Sequence, residues 1–188
     1  QAAEVLRRQL LAFCIDCWVA SGIPATAFPD KTSAALDAID KSDQVRFPYN
    51  LLTYIQQDEA GLLDRFLALM GADLHPRVEA RLRDYMFGQG DLDGLRLGLL
   101  KLLEELSRER VAHRRRADEN KKRITALKAQ PQDEATQQQI GELTRERDKA
   151  LELAREIGGR ELLGTLTDAG LIPNYAFPEA GVELKSIL

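Results

Sequence analysis

The stretch from Gly90 to Gly158 constrains the fold of this chain more than any other. Its first part, from Asp91 to Ala129, contains no proline, and its only glycines fall in the opening turns. This pattern predicts one helix of about 55 Å, at a rise of roughly 1.5 Å per residue. Pro131 ends the helix, because proline disfavours helical backbone in the residue before it.

A second long helix is expected to follow this break. Pro131 suits a first helical turn, and Asp133 and Glu134 suit the positive end of the helix dipole. One side of the helix then carries residues at alternating steps of three and four, namely Ile140, Leu143, Arg147, Ala150, Ala154 and Ile157. This spacing is a heptad seam, and Gly158 and Gly159 are expected to stop it. Because the link is so short, the two helices must run antiparallel, as a coiled-coil hairpin.

The composition favours a globular helical protein. The chain is 44% hydrophobic and 30% charged, with 6% aromatic residues and a net charge of -4. It holds no apolar run near the roughly 18 residues that span a bilayer, no signal-peptide pattern and only two cysteines, which predicts a cytoplasmic protein without a membrane partner. The chain begins inside a helical pattern and ends on an apolar run, so we expect a piece of a larger protein.

Shorter helices are expected on both sides of the hairpin. Apolar periodicity, capping residues and helix breakers predict them at about 2–20, 32–39, 50–70, 76–87 and 161–169, and Asp58 and Gly61 leave open a break within 50–70. The predicted fold is all-α: a compact helical bundle with a protruding antiparallel hairpin and an extended C-terminal segment. Its parts are a helical body over 1–90, the hairpin arm over 91–158, and a short helix with a Pro-rich tail over 159–188.

The strongest charge feature is a basic run in the first arm of the hairpin. Its members are Arg108, Arg110, Arg114, Arg115, Arg116, Lys121, Lys122 and Arg123. One interpretation is contact with a nucleic-acid backbone along the outer face of the arm. The other is a solvated helix whose charges pair with the carboxylates of the facing arm, which are Glu142, Glu146, Asp148 and Glu152. The run contains no aromatic residue to stack on bases, which favours the second interpretation.

Other candidate sites are weaker. Cys14 and Cys17 have the spacing of a zinc or redox pair, but they lie within an apolar helix and are expected to be buried thiols. Only two histidines could complete a metal site; His75 is expected to cap a helix, and His113 lies among arginines. The chain has no phosphate-binding glycine loop, nucleophile elbow or dinucleotide fingerprint, so we expect no catalytic residue, metal or cofactor within it.

Two segments resemble a known family. The segment from Gly170 to Pro178 is similar to the Leu-Pro-x-Tyr-Ala-Phe-Pro motif of very large bacterial DEAD/DEAH-box (superfamily 2) helicases. In those proteins it follows the helicase core and leads into a β-rich region that often carries zinc-binding cysteines. The segment from Leu6 to Asp16 is similar to a helix that they place after the motor domains. The resemblance covers about ten residues at each end, and the hairpin lies outside it.

The resemblance implies a role within a larger machine. The parent protein would use ATP and Mg to move on or unwind nucleic acid, and this chain carries neither the motor motifs nor the zinc cysteines. In the C-terminal motif, Pro173 and Pro178 would stiffen an extended segment while Tyr175 and Phe177 anchor it against the helical body. Alternatively, one of these two aromatic rings stacks on a base.

Together these observations predict a non-catalytic accessory domain of an ATP-dependent helicase. Its basic arm would contact nucleic acid, such as DNA, or another protein subunit. The domain would also contact the remainder of the parent helicase. The alternative is a protein–protein interaction scaffold that uses the coiled-coil hairpin and binds no nucleic acid. An independent enzyme is the least favoured of the three.

Overall fold

A computed structural model describes residues 1–90 and 92–174. The secondary structure in these residues is helical, with no β-strand, so the all-α prediction is confirmed. The helices are α1 (Ala2–Ala20), α2 (Thr32–Lys41), α3 (Tyr49–Gln57), α4 (Glu59–Met70), α5 (Pro76–Phe87), α6 (Leu95–Lys128), α7 (Glu134–Gly159) and α8 (Leu162–Asp168), with a 3-10 turn at Ala25–Ala27. The predicted extended tail lies outside the described residues from Tyr175 onward, and with it Phe177 and Pro178.

The body is built around α1, which packs against α3, α4 and α5. Its apolar residues lie on several sides of the helix, so α1 is deeply buried, as its sequence predicts. Phe13 contacts Phe66 of α4 with 5.6 Å between ring centroids. Trp18 packs near Phe28 and Phe47, whose rings meet edge to face at 5.2 Å. Phe13, Trp18, Phe47 and Phe66 belong to the main apolar core, and Phe28 packs against it.

Several predicted helix ends are confirmed. The segment over 50–70 does break at Asp58, whose extended φ of -150° separates α3 from α4. Pro76 opens α5, and His75 caps it by accepting a hydrogen bond from the N–H of Arg77 at 3.1 Å. Gly170 closes α8 with a positive φ of 74°, as a left-handed cap requires.

The start of α6 is later than predicted. The helix begins at Leu95 rather than near Asp91, because Gly94 takes an extended conformation and serves as its N-cap. A side chain at Gly94 would place its Cβ 2.5 Å from the Cα of Gly88. The chain therefore needs glycine where the α5–α6 connection folds back on itself.

The start of α7 also differs from the prediction, whereas its end agrees with it. Pro131 lies in the link, and the helix begins at Glu134, because the carboxylate of Asp133 accepts the N–H of Thr136 at 2.7 Å. Hydrogen bonds from the backbone and the side chain of Thr136 lower the pKa of Asp133. At the other end α7 stops at Gly159, as the glycine pair predicts, and Gly158 lies within its last turn. A Cβ there would come within 3.2 Å of the Cβ of Ser33 on α2, so its role is close packing.

Thr32 fastens the base of the hairpin to the body, which the sequence did not indicate. Thr32 is the first residue of α2, and its hydroxyl lies 3.1 Å from the carbonyl oxygen of Arg160 and 2.7 Å from the hydroxyl of Thr165. Lys31 and Glu161 form an isolated antiparallel bridge beside it. The segment that follows α7 is thus tied to the start of α2.

Helices α6 and α7 pack along each other as the predicted antiparallel hairpin, here called the arm. Only the root of the arm, with Leu95, Leu99 and Leu103, belongs to the main apolar core. The distal half buries a separate seam made of Ala117, Ile124, Leu143 and Ala150. At 34 residues, α6 is about 51 Å long at roughly 1.5 Å per residue. The distal arm thus has an interior of its own. Among the described residues, no helix is both long and apolar enough to cross a membrane.

Candidate nucleic-acid interface

The predicted basic residues all lie on α6, but they do not share one environment. Seven of the eight are exposed, and they are Arg108, Arg114, Arg115, Arg116, Lys121, Lys122 and Arg123. Within residues 108–123 these seven charges face three carboxylates, those of Glu109, Asp118 and Glu119, which leaves a net charge of +4. The exposed surface of this stretch is therefore strongly positive, although the whole chain carries -4.

Arg110 is the exception, and its assignment to nucleic-acid binding is corrected. Its side chain is only 2% exposed. One terminal nitrogen donates to Asp37 at 2.9 Å and to Asp40 at 3.0 Å, and the hydroxyl of Ser107 donates to the same Asp40 carboxylate. A guanidinium held by two carboxylates inside a helix junction cannot reach a phosphate. Arg110 instead ties the arm to α2.

The heptad register explains why Arg110 differs from its neighbours. The inward positions of α6 follow one another at steps of three and four: Leu103, Leu106, Arg110, His113, Ala117, Asn120, Ile124 and Leu127. Arg110 takes an inward position at the level where α2 packs against both α6 and α7. The other basic residues of the run take outward or flanking positions, so their charges stay in water.

The flanking row on one side of the α6 seam is basic. It consists of Arg114, Lys121 and Lys128, at intervals of seven residues. In an antiparallel pair this row faces the equivalent row of α7, which holds Gln137, Thr144 and Leu151 and no carboxylate. Lys128 lies outside the predicted run, and its spacing of seven from Lys121 is the signal that identifies it. We call this side of the arm the cationic side.

The other flanking row of α6 is mixed in charge. It holds Glu109, Arg116 and Arg123, and the row opposite on α7 includes Glu146. We call this the mixed side of the arm. The outermost row, with Arg108, Arg115 and Lys122, lies between the two sides and is again basic.

The exposed basic residues are not neutralised by the facing helix. In residues 1–90 and 92–174, no ion pair joins any of them to α7. Arg147 of α7 pairs with its own neighbour Asp148 at 3.0 Å. The interpretation in which α7 pairs with the basic run is therefore not what the structure contains, and the positive surface is open to an external anion.

Two polar residues interrupt the seam of the arm. Asn120 is 6% exposed, and its amide nitrogen has no hydrogen-bond partner within the described part of the chain. His113 is half-buried one heptad step nearer the root. A buried polar residue at such a position lowers stability but specifies register, because mismatched pairings would leave it facing apolar groups.

The remaining candidates offer no chemical site. Cys14 is buried and Cys17 half-buried, and both are free thiols. Burial raises the pKa of each thiol, so neither is poised as a nucleophile or metal ligand. Over the described ranges, no three His, Cys, Asp or Glu side chains are grouped to hold a metal ion.

The positive surface and its support are thus defined by three helices, α2, α6 and α7. Comparisons of this chain with protein-family models, curated proteins and solved structures return no match. The geometry of the arm, together with the segments at the two ends of the chain, is what bears on function.

Proposed function

We propose that this chain is a non-catalytic accessory domain that contacts nucleic acid through its basic arm, within a larger ATP-dependent helicase. The observation that carries the nucleic-acid part is the row of exposed basic side chains on α6 without ion pairs to α7. The helicase part is supported by the resemblance of the segments at Leu6–Asp16 and Gly170–Pro178. Any ATP and Mg would be bound by the motor domains of the parent protein.

The expected mode of contact is electrostatic. Each basic side chain that meets a phosphate releases a condensed counterion, so binding rests mainly on charge and weakens steeply with salt. Base-specific contacts are not expected, since arginine and lysine on an exposed helix position a protein on the backbone without reading sequence. The Arg110 junction would hold the arm at a fixed angle to the body, so the contact surface would be presented rigidly.

Replacing Arg114, Arg115 and Arg116 together with glutamate tests this proposal. Binding of labelled DNA at about 50 mM salt should weaken at least tenfold, and the slope of log K against log salt should fall by about one for each phosphate contact removed. A matched control reverses three exposed arginines of the body, Arg77→Glu, Arg81→Glu and Arg83→Glu, with the same change in net charge. We expect this control to keep most of its affinity. Absence of binding by the unmodified protein at low salt would refute the proposal.

The protein-scaffold alternative is supported by the difference in charge between the two helices of the arm, α6 and α7. Helix α7 carries six carboxylates and four basic residues, whereas the run on α6 is positive. A second chain could therefore pair with the arm in a complementary orientation. Sedimentation of the chain discriminates the nucleic-acid function from the scaffold function. A hairpin whose seam is buried within one chain should be monomeric. Self-association without nucleic-acid binding would favour the scaffold.

A further inference from the structure

The basic residues of the arm are divided between two sides, and on only one of these is the row that flanks the seam of α6 free of carboxylates. We propose that the arm binds the phosphates of a double helix through its cationic side, an inference that rests on the proposed nucleic-acid function. The contact residues are Arg108, Arg114, Arg115, Lys121, Lys122 and Lys128. Arg116 and Arg123, on the mixed side, are excluded from the contact.

The heptad register assigns the cationic side. Arg114, Lys121 and Lys128 flank the seam, and the row that they face on α7 carries no carboxylate. On α6 one acid, Asp118, lies on this side between Arg108 and Lys128, and on α7 Asp148 lies next to the facing row, where it pairs with Arg147. Asp118 lines a shallow surface depression together with Lys121, Lys122 and Thr125, which places these residues on one side of the helix, as the register requires.

The mixed side carries more carboxylates among its basic residues. Its flanking row includes Glu109 besides its two arginines, and Glu119 lies next to that row on the outer surface. Glu146 belongs to the row of α7 that Arg116 and Arg123 face. A phosphate chain laid along this side would meet carboxylates at intervals, and each of them costs part of the attraction. The cationic side offers the longer stretch without such repulsion.

The composition of the arm favours a duplex over a single strand. From Gly88 to Asn174 the chain has no Phe, Tyr or Trp, so the arm has no ring on which an unpaired base could stack. Its available attraction is charge, and a duplex presents one phosphate charge per roughly 1.7 Å of its axis, twice the density of one strand. From Arg108 to Lys128 the cationic side spans about 30 Å, just under the roughly 34–36 Å of one duplex turn.

The test compares binding of the full chain to a 20-base-pair duplex and to the matching single strand across a salt titration. If all six residues contact phosphates, the slope of log K against log salt for the duplex should be about -5, and the single strand should bind at least tenfold more weakly. Duplexes of DNA and of RNA are both used, since they share the phosphate chemistry. The duplex that binds with the higher affinity identifies which nucleic acid the arm prefers.

A matched pair of variants tests which side makes the contact. Arg114→Glu with Lys121→Glu reverses two charges on the cationic side, and Arg116→Glu with Arg123→Glu reverses two on the mixed side. We expect the first pair to weaken duplex binding at least tenfold and to lower the slope by about two, and the second to change affinity less than threefold. Asp118→Asn should tighten binding, which a variant that merely unfolds could not do.

The outcomes separate this inference from the proposed function. Equal or tighter binding of the single strand would overturn the duplex assignment, and equal losses in the two double variants would overturn the assignment of the side. In both cases the arm would still be a nucleic-acid contact. If neither nucleic acid binds at low salt, the proposed function itself fails.

Discussion

Replacing Asp37 and Asp40 together with alanine should lower the free energy of unfolding by about 3–5 kcal/mol. The Arg110 side chain is 2% exposed, and these two carboxylates of α2 supply its ion pairs. Without them a guanidinium would stay buried with no counter-charge, which is far more costly than losing a pair that water can replace. Urea unfolding followed by Trp18 fluorescence and by far-UV circular dichroism measures the change.

The cost should be asymmetric between the partners. Arg110→Met should cost no more than about 1–2 kcal/mol, because the aliphatic side chain fills part of the space and Asp37 and Asp40 are open to solvent enough to stay hydrated. Glu79→Ala breaks an exposed pair with Arg83 and serves as the control, with an expected cost below about 0.5 kcal/mol. A greater loss from Arg110→Met than from the double aspartate variant would show that the buried charge does not need its carboxylates.

Removing the distal arm should abolish nucleic-acid binding while the body stays folded. The change replaces residues 114–149 with a short Gly/Ser linker that joins His113 of α6 to Ala150 of α7. All exposed basic residues of the predicted run except Arg108 are lost, so duplex affinity should fall by about a thousandfold or more at low salt. The Trp18 fluorescence midpoint should change little, because the distal seam lies outside the main core.

This truncation is informative in either direction. Trp18 is the only tryptophan and is buried in the body, so its fluorescence reports the body, while far-UV circular dichroism reports the lost helix. Loss of the Trp18 transition would mean that the body needs the distal arm for its own stability. A folded protein that still binds duplex would place the nucleic-acid surface outside the arm.

Much of the fold could be predicted from local signals in the sequence. The hairpin follows from the heptad spacing and the short link, and the ends of α5 and α8 follow from Pro76 and Gly170. What local signals miss depends on contacts between separate segments of the chain. Gly94 must admit the backbone of Gly88, Gly158 packs against α2, and Thr32 reaches the carbonyl of Arg160. No local pattern contains such information.

The candidate site was predictable as a run of basic residues but not as a surface. Arg110 looks like its neighbours in composition, and its burial depends on Asp37 and Asp40, about seventy positions earlier in the chain. The signal for it was present, because Leu103, Arg110, Ala117 and Ile124 recur at intervals of seven on α6. The same register applied outward identifies Lys128 and separates the cationic side from the mixed side.

We propose that the cationic side of the arm meets the phosphate backbone of a duplex. Lysine acetylation footprinting of the unmodified protein tests this contact most directly. With saturating duplex, we expect acetylation to slow at Lys121, Lys122 and Lys128 and to stay unchanged at Lys41 and Lys149. Reaction rates of individual lysines are read by mass spectrometry with and without duplex. Protection of Lys149, or equal slowing at every lysine, would contradict the account.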